Sequence, residues 1–421
     1  MIDRRQALGA IAGASFAATP LAAQTPPRLS VVAHAVHRAA VTTGLGGDVT
    51  ATWRAANRDM AVEWLTFGIE AVNERALREA TLAQSSIDVA FMLDRYTGPQ
   101  FANLFEDLRE WQARDPIPGF DEIPAGMLRA HTFGGRVTGM PYRHATHGLH
   151  VNRAIFEERG VTPPRTVADL AATAERLAHD RAVGTRVFGL IMNMEDPATP
   201  IDWIRGFGGD FITDDYKVVV DAPEAVRCVT MLRDLVQKNV MPRNIMNLKN
   251  EDINTMMQQG RAAMTNNPFG RFTVHNNPQA SRFPGRIDAI PLPLGVDGQP
   301  LPAKTSVWAL CIPRNARDKA LSWSFIKHLM SPENTILAAL NGNGPVRPST
   351  YENARVRESL PYAEAERAAL RTARLVVPSF ANAGRAMDVF MEELGLAMIG
   401  RKAAREAMAD ARRRVEPLLP A

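Results

Sequence analysis

Ile87-Asp88-Val89-Ala90-Phe91-Met92-Leu93, followed by Asp94-Arg95-Tyr96, is the stretch from which the rest of the chain can be read. Its apolar run is too short for a buried helix and suits a strand covered on both faces. The polar triplet then sits at the C-terminal end of that strand. Working outward, Arg28-Leu-Ser-Val-Val-Ala-His34 has the same strand character, and residues 48–53 read as a further strand. Between Asp59 and Gln84 the spacing of Val62, Leu65, Ile69, Val72 and Leu77 fits a helix, and residues 104–111 return to helical spacing. Strand and helix alternating in this way predict an α/β layer with a mostly parallel sheet.

A second α/β region follows. Residues 142–152 are extended, then Arg153-Ala-Ile-Phe-Glu-Glu-Arg159 is a helix stopped by Gly160, and Thr166 is placed to cap a helix over 167–179. Strand 187–192, helices 201–206, 222–238 and 250–260, and strand 262–265 come next. Residues 287–293 are extended and 307–313 form a strand; 319–330 and 386–411 read as amphipathic helices. No low-complexity tether separates the two regions, so segments must cross between two lobes and leave a cleft between them.

Composition narrows the function. The 421 residues carry 49 Lys+Arg against 45 Asp+Glu, and no basic run is long enough to track a phosphate backbone, which argues against nucleic acid as partner. Two cysteines, Cys228 and Cys311, exclude a disulfide scaffold and a zinc cage, and both lie in apolar settings that suit buried thiols. Residues 1–24 begin with Asp3-Arg4-Arg5, continue through a short apolar run and end in small residues, the layout of an export signal similar to the twin-arginine type. The mature chain is then expected to start near Gln24 or Thr25 and to be periplasmic. No later apolar stretch approaches the length of a membrane span.

Zincin, phosphate-loop and nucleophile-elbow patterns are absent, and nothing in the pattern calls for a cofactor. His144, His147 and His150 stand three apart, a spacing that tempts a zinc reading. On an extended segment, however, His147 points away from the other two, which favours polar interface histidines over a metal site.

From Asp88 to Gly98, through Gly139-Met-Pro141, Leu149 to Phe156 and Gly160 to Leu170, the chain resembles the extracellular solute-binding proteins of ABC importers, the carbohydrate-type group that includes the maltose-binding protein. Phe207-Gly-Gly-Asp-Phe211, Gly260-Arg-Ala-Ala-Met264, Ile312 to Lys319, Gly344-Pro-Val-Arg347 and the closing helix extend the likeness over residues 85–411. The resemblance implies an α/β, two-lobed periplasmic-binding-protein fold of type II-like architecture. Residues 28–143 with 305–345 would form the first lobe. Residues 146–303 with 348–421, including the C-terminal helices, would form the second. It implies a monomer without catalysis that closes on a small carbohydrate (a sugar, sugar acid or polyol) and delivers it to an ABC permease in the inner membrane.

The resemblance also implies ligand-binding residues. Asp94 and Arg95 match an acidic-basic pair that contacts sugar hydroxyls, chemistry suited to vicinal diols because a carboxylate accepts two hydroxyl protons and a guanidinium donates in a plane. Glu195 lies in a cleft segment where Ala198 replaces an aromatic residue; Asn266 and Phe269 stand where the family often has an aromatic platform. Trp308 opens the strand that returns to the first lobe, and either faces the cleft or is buried. Tyr142 and His144, on the first crossing segment, reach the ligand or pack the hinge; Arg347 reaches the cleft or braces the hinge loop. Ala145 replaces a carboxylate of maltodextrin-type relatives, which argues against a long maltodextrin. Two alternatives remain at this level: a polyamine or metal-chelate binder, and an exported glycoside hydrolase using Asp94 and Glu195.

Overall fold

The computed structural model describes residues 28–420 apart from 59, 182, 183 and 197. The expected export signal at residues 1–24 lies outside the described residues. Twelve strands appear in chain order: β1 (Arg28–His34), β2 (Ala61–Phe67), β3 (Val89–Leu93), β4 (Thr132–Phe133), β5 (Arg136–Val137), β6 (Met140–His144), β7 (His147–Asn152), β8 (His179–Arg181), β9 (Thr185–Ile191), β10 (Ala262–Pro268), β11 (Ile287–Ile290) and β12 (Val307–Cys311).

They make two five-stranded sheets and a small hairpin. The first sheet runs β2-β1-β3-β12-β6 and the second β11-β7-β10-β9-β8. Each sheet is mixed rather than mostly parallel. β1 pairs parallel with β2 and β3, while β12 runs antiparallel to both β3 and β6. In the second sheet β10 is parallel to β9 but antiparallel to β7. The antiparallel members β12 and β7 are the strands that arrive from the other lobe, so their direction is set by the crossing and not by a local helical connection.

Each sheet has its own core. Val31, Val89, Phe91, Leu310, Phe325 and their neighbours fill the first; Leu149, Leu190, Met264, Trp203, Phe390 and Met408 belong to the second. A third, smaller cluster around Phe269, Tyr351 and Tyr362 includes Ala339 and Leu340, from the helix Pro332–Leu340 that follows helix Lys319–Leu329. Cys228 and Cys311 are both fully buried, and burial pushes both thiols far above their ordinary range.

Several local expectations change. Residues 48–53 do not form a strand: helix Ala51–Ala56 begins there, and Asp48 accepts the N–H and hydroxyl of Thr50 just before its first turn. Residues 61–67 form edge strand β2 and not the start of a helix, because pairing with β1 outweighs an apolar spacing that reads as helical. The helix starts only at Ile69, after Gly68. The closing segment is two packed helices, Ala383–Met398 and Ala404–Val415, separated at Gly400, whose φ of 76° is left-handed. Other boundaries agree closely with the sequence reading. Helix Arg153–Arg159 ends at Gly160 in the left-handed conformation, and Asp169 accepts both the N–H and hydroxyl of Thr166 at the start of Val167–Leu177.

Two crossing segments lie side by side between the sheets. The N–H of Ala145 donates to the Ser306 carbonyl at 2.9 Å, and that of His147 to the Lys304 carbonyl at 3.0 Å. A third segment joins them where the His144 N–H donates to the Gly344 carbonyl at 3.0 Å. A Cβ at residue 344 would lie 2.3 Å from the His144 carbonyl oxygen, so only glycine permits this approach.

Candidate functional site

The site grows from the end of β3. After Leu93 the chain tightens into the 3-10 turn Asp94–Tyr96, and Asp94 turns its carboxylate back onto the returning strand. One oxygen accepts the Val307 N–H at 3.0 Å and the other the Arg95 N–H at 2.7 Å. Burial pushes this carboxyl up to about 6, against the pull of those two donors and of Lys304 and Arg95. The Arg95 guanidinium lies 5.1 Å from the centre of the Tyr96 ring. Burial works against its charge, but Asp196 and Tyr96 hold its pKa above the usual value.

The opposing wall comes from the second lobe. Asp196, in the turn after β9, receives Lys304 Nζ at 2.7 Å. Although burial works against its charge, Lys304 foremost, with His147 and Arg95, holds Asp196 well below the ordinary carboxylate range. Lys304 belongs to a crossing segment, and its side chain is only 3% exposed. Its backbone N–H donates to Asp202 at 2.7 Å. Asp202 also takes His147 Nδ1 at 2.6 Å and the Asn266 amide at 2.9 Å, so one buried carboxylate ties together both crossing segments and β10.

Asp94, Arg95, Asp196, Ser306 and Met387 line a cavity that is open to solvent at its mouth. The loop over 375–379 supplies the apolar side. Arg205 holds that loop by donating to the carbonyls of Leu375 and Val376, while its Nε bonds Asp210 at 3.0 Å. The mixture of a few charged groups with an apolar wall suits a small polar molecule.

The residues named from sequence fall into two sets. Asp94 and Arg95 line the cavity together. Glu195 is exposed, accepts the Asn250 N–H at 3.1 Å and does not line the cavity; its neighbour Asp196 does. Asn266 faces Thr199 and Asp202, and Phe269 is fully buried with its ring stacked 6.0 Å from that of Tyr362. Trp308 is buried edge-on to His37 at 4.3 Å, and His37 stacks on Phe91, against which Tyr142 packs. His144 donates to or accepts from Tyr351 Oη at 2.7 Å and Thr146 Oγ1 at 2.9 Å, and burial lowers it to about 3. Arg347 braces a loop: it donates to the carbonyls of Pro118, Gly119 and Met330.

The three histidines of the 144–150 segment thus turn to separate partners. His150 meets His275 at 3.1 Å and the Pro268 carbonyl, apart from His144 and His147. Among the described residues no cluster of three His, Cys, Asp or Glu is arranged to hold a metal ion.

Sequence reasoning did not find Asp196 or Lys304. The signal for Asp196 was its position directly before Pro197, at the end of the strand region, whereas Lys304 carries no local pattern at all.

Comparison with known proteins agrees with this architecture. The profile of a family described as bacterial extracellular solute-binding protein matches residues 49–362. A maltose-bound MalE3 from T. maritima superposes with a TM-score of 0.78 at 21% identity, covering 93% of this chain and 100% of that one. A solute-binding protein from Agrobacterium radiobacter, solved in complex with ribitol, gives 0.74 at 20% identity, covering 94% and 100%. A putative binding protein of Brucella abortus is 18% identical over 160 residues, 36% of this chain, so the chain spans about 38% of the length of that curated relative. At these identities the likeness to solved structures shows the fold, and the family profile covers most of the chain. The chain belongs to the bacterial extracellular solute-binding proteins and has the two-lobed fold of their maltose-binding-protein-like members.

Proposed function

We propose that this protein is the periplasmic substrate-binding subunit of an ABC importer, taking a small carbohydrate between its lobes and delivering it to a permease in the inner membrane. One observation carries the reading: Asp94 and Arg95 from the first lobe and Asp196 from the second line one cavity beside crossing segments. A ligand touching both walls favours the closed arrangement by the contacts it gains only there. Hydroxyl groups taken out of water need partners on several sides, and carboxylate, guanidinium and backbone groups at one place supply them. The relatives solved with maltose and ribitol support the carbohydrate class. Export by the twin-arginine-like segment and action as a monomer belong to the same reading. A polyamine is less well served, because Asp196 is already neutralised by Lys304. A glycosidase pair of Asp94 and Glu195 lacks a shared space, since Glu195 does not line the cavity.

The test is a thermal-shift screen of the mature protein against sugars, sugar acids, polyols and polyamines, followed by X-ray scattering with the best ligand. A ligand that binds only the folded state raises the midpoint. One carbohydrate class should raise it and reduce the radius of gyration, and Asp94→Ala should abolish both effects. A shift with polyamines alone would overturn the carbohydrate assignment.

A further inference from the structure

Arg143, from the first lobe, reaches the backbone of the second lobe beside Arg271. Arg143 lies on β6 at the last strand of the first lobe, one residue before the crossing; Arg271 closes the turn Phe269–Arg271 after β10 in the second. Arg143 Nη2 stands 4.0 Å from where a Cβ on Gly270 would be, so its guanidinium reaches the backbone next to Arg271. Both arginines are partly buried. Among the described residues neither guanidinium donates a hydrogen bond or forms an ion pair within 4.0 Å.

Elsewhere in this protein, the buried arginines Arg205 and Arg347 have carboxylate and carbonyl partners, though one nitrogen of each has none. Arg205 has Asp210 and two carbonyls; Arg347 has three carbonyls and Glu122. Two partly buried guanidiniums without a protein partner keep their charge and their hydrogen-bond donors available to a ligand. Burial first, and then Arg271, lowers the pKa of Arg143, and burial lowers that of Arg271. The same positive field reaches the neighbouring His34, whose pKa burial, Arg271 and Arg143 all lower. Glu251 and Glu366 act on these arginines from a distance without pairing with them.

We propose that Arg143 and Arg271 are the two halves of an anion clamp, one from each lobe, and that the natural ligand is a small carbohydrate bearing a carboxylate or a phosphate. The inference rests on the solute-binding reading above and narrows its ligand class. Planar guanidiniums match the oxygens of either anion, and an anion between them supplies an attraction available only when both lobes surround it. The same contact would draw the lobes together and remove the repulsion that holds them apart.

Isothermal titration calorimetry with matched ligands tests this: a neutral aldose, the corresponding uronic acid and the corresponding sugar phosphate, with sodium sulfate and inorganic phosphate as bare anions. Wild type is compared with Arg143→Gln, Arg271→Gln and the double variant. The anionic member of one series should bind at least about tenfold more tightly than its neutral parent, weaken with added salt, and lose that advantage in either variant. Comparing the uronic acid with the phosphate tells which anion the clamp prefers. The ligand-free melting temperature of each single variant should stay level or rise, because an unpaired like-charge pair is relieved; a clear fall would assign the arginines a structural role and overturn the clamp. Equal or tighter binding of the neutral parent would overturn it too. If no carbohydrate of either charge binds, the carbohydrate reading fails on its own account. The clamp then stands only if phosphate or sulfate raises the wild-type melting temperature and fails to do so in the double variant, and it falls if neither anion has an effect.

Discussion

The Nζ of Lys304, on a segment that crosses between the lobes, lies 2.7 Å from a carboxylate oxygen of Asp196 at the cavity wall. The lysine is almost wholly buried and Asp196 partly so. Such a pair adds little over an apolar replacement of both partners, but removing one leaves the other as an uncompensated buried charge.

Lys304→Met should therefore destabilise the protein by about 3 kcal/mol and weaken ligand binding, whereas Lys304→Met with Asp196→Asn should recover much of the stability and little of the binding. Urea unfolding of the two variants with calorimetry beside it checks both halves. Equal stability of the single variant and wild type would show that the pair is not in place.

Asp94 should make binding pH-dependent. Its carboxyl sits near 6, and an ionised carboxylate keeps lone pairs free for ligand hydroxyls after accepting from Val307 and Arg95. Affinity is expected to rise from about pH 5 to about pH 7 and then level off, and Asp94→Asn should bind at least about tenfold more weakly with a flat profile. Stability runs the other way: a folded pKa raised above the unfolded one gives a contribution complete at acid pH and lost as pH rises through about 6.

Glu366 should set a second pH dependence, of folding alone. It is buried beside Tyr351 and lies 3.9 Å from His144, and Arg143 and Tyr362 also act on this group. Burial pushes its carboxyl from an ordinary 4.5 to about 8. The folded state keeps the proton where the unfolded chain releases it, so the ligand-free melting temperature should fall with rising pH between about 4.5 and about 8. Glu366→Gln should flatten that slope. A slope unchanged in the variant would remove Glu366 as its source.

Gly344→Ala should damage the hinge. The added methyl meets the His144 carbonyl oxygen, a backbone atom that can yield only by moving a crossing segment. A lower melting temperature and a smaller ligand-induced change in radius of gyration are expected together; an unaltered protein on both measures would mean that the hinge segments are freely displaced.

The strands around Asp94 were legible because β3 is a continuous apolar run ending in charge, a pattern that survives without knowledge of neighbours. Edge strand β2 was not, since its half-exposed residues satisfy a helical spacing as well as a strand one, and only pairing with β1 chooses. At the site the same division holds. Asp94 and Arg95 belong to one local motif, and both line the cavity. Phe269 and Trp308 had the right chemistry for a sugar platform, but nothing local distinguishes a ring in a cleft from a ring in a core, and both are buried.

What the sequence alone determined is the α/β character, the helix caps at Thr166 and Gly160, and the polar turn that ends β3, because each depends on interactions within a few residues. What only the tertiary structure decided is which charges meet: Lys304 with Asp196, and His147 and Asn266 with Asp202. Those relations join residues from separate segments of the chain, and electrostatic energy depends on their distance and burial, neither of which any local pattern records.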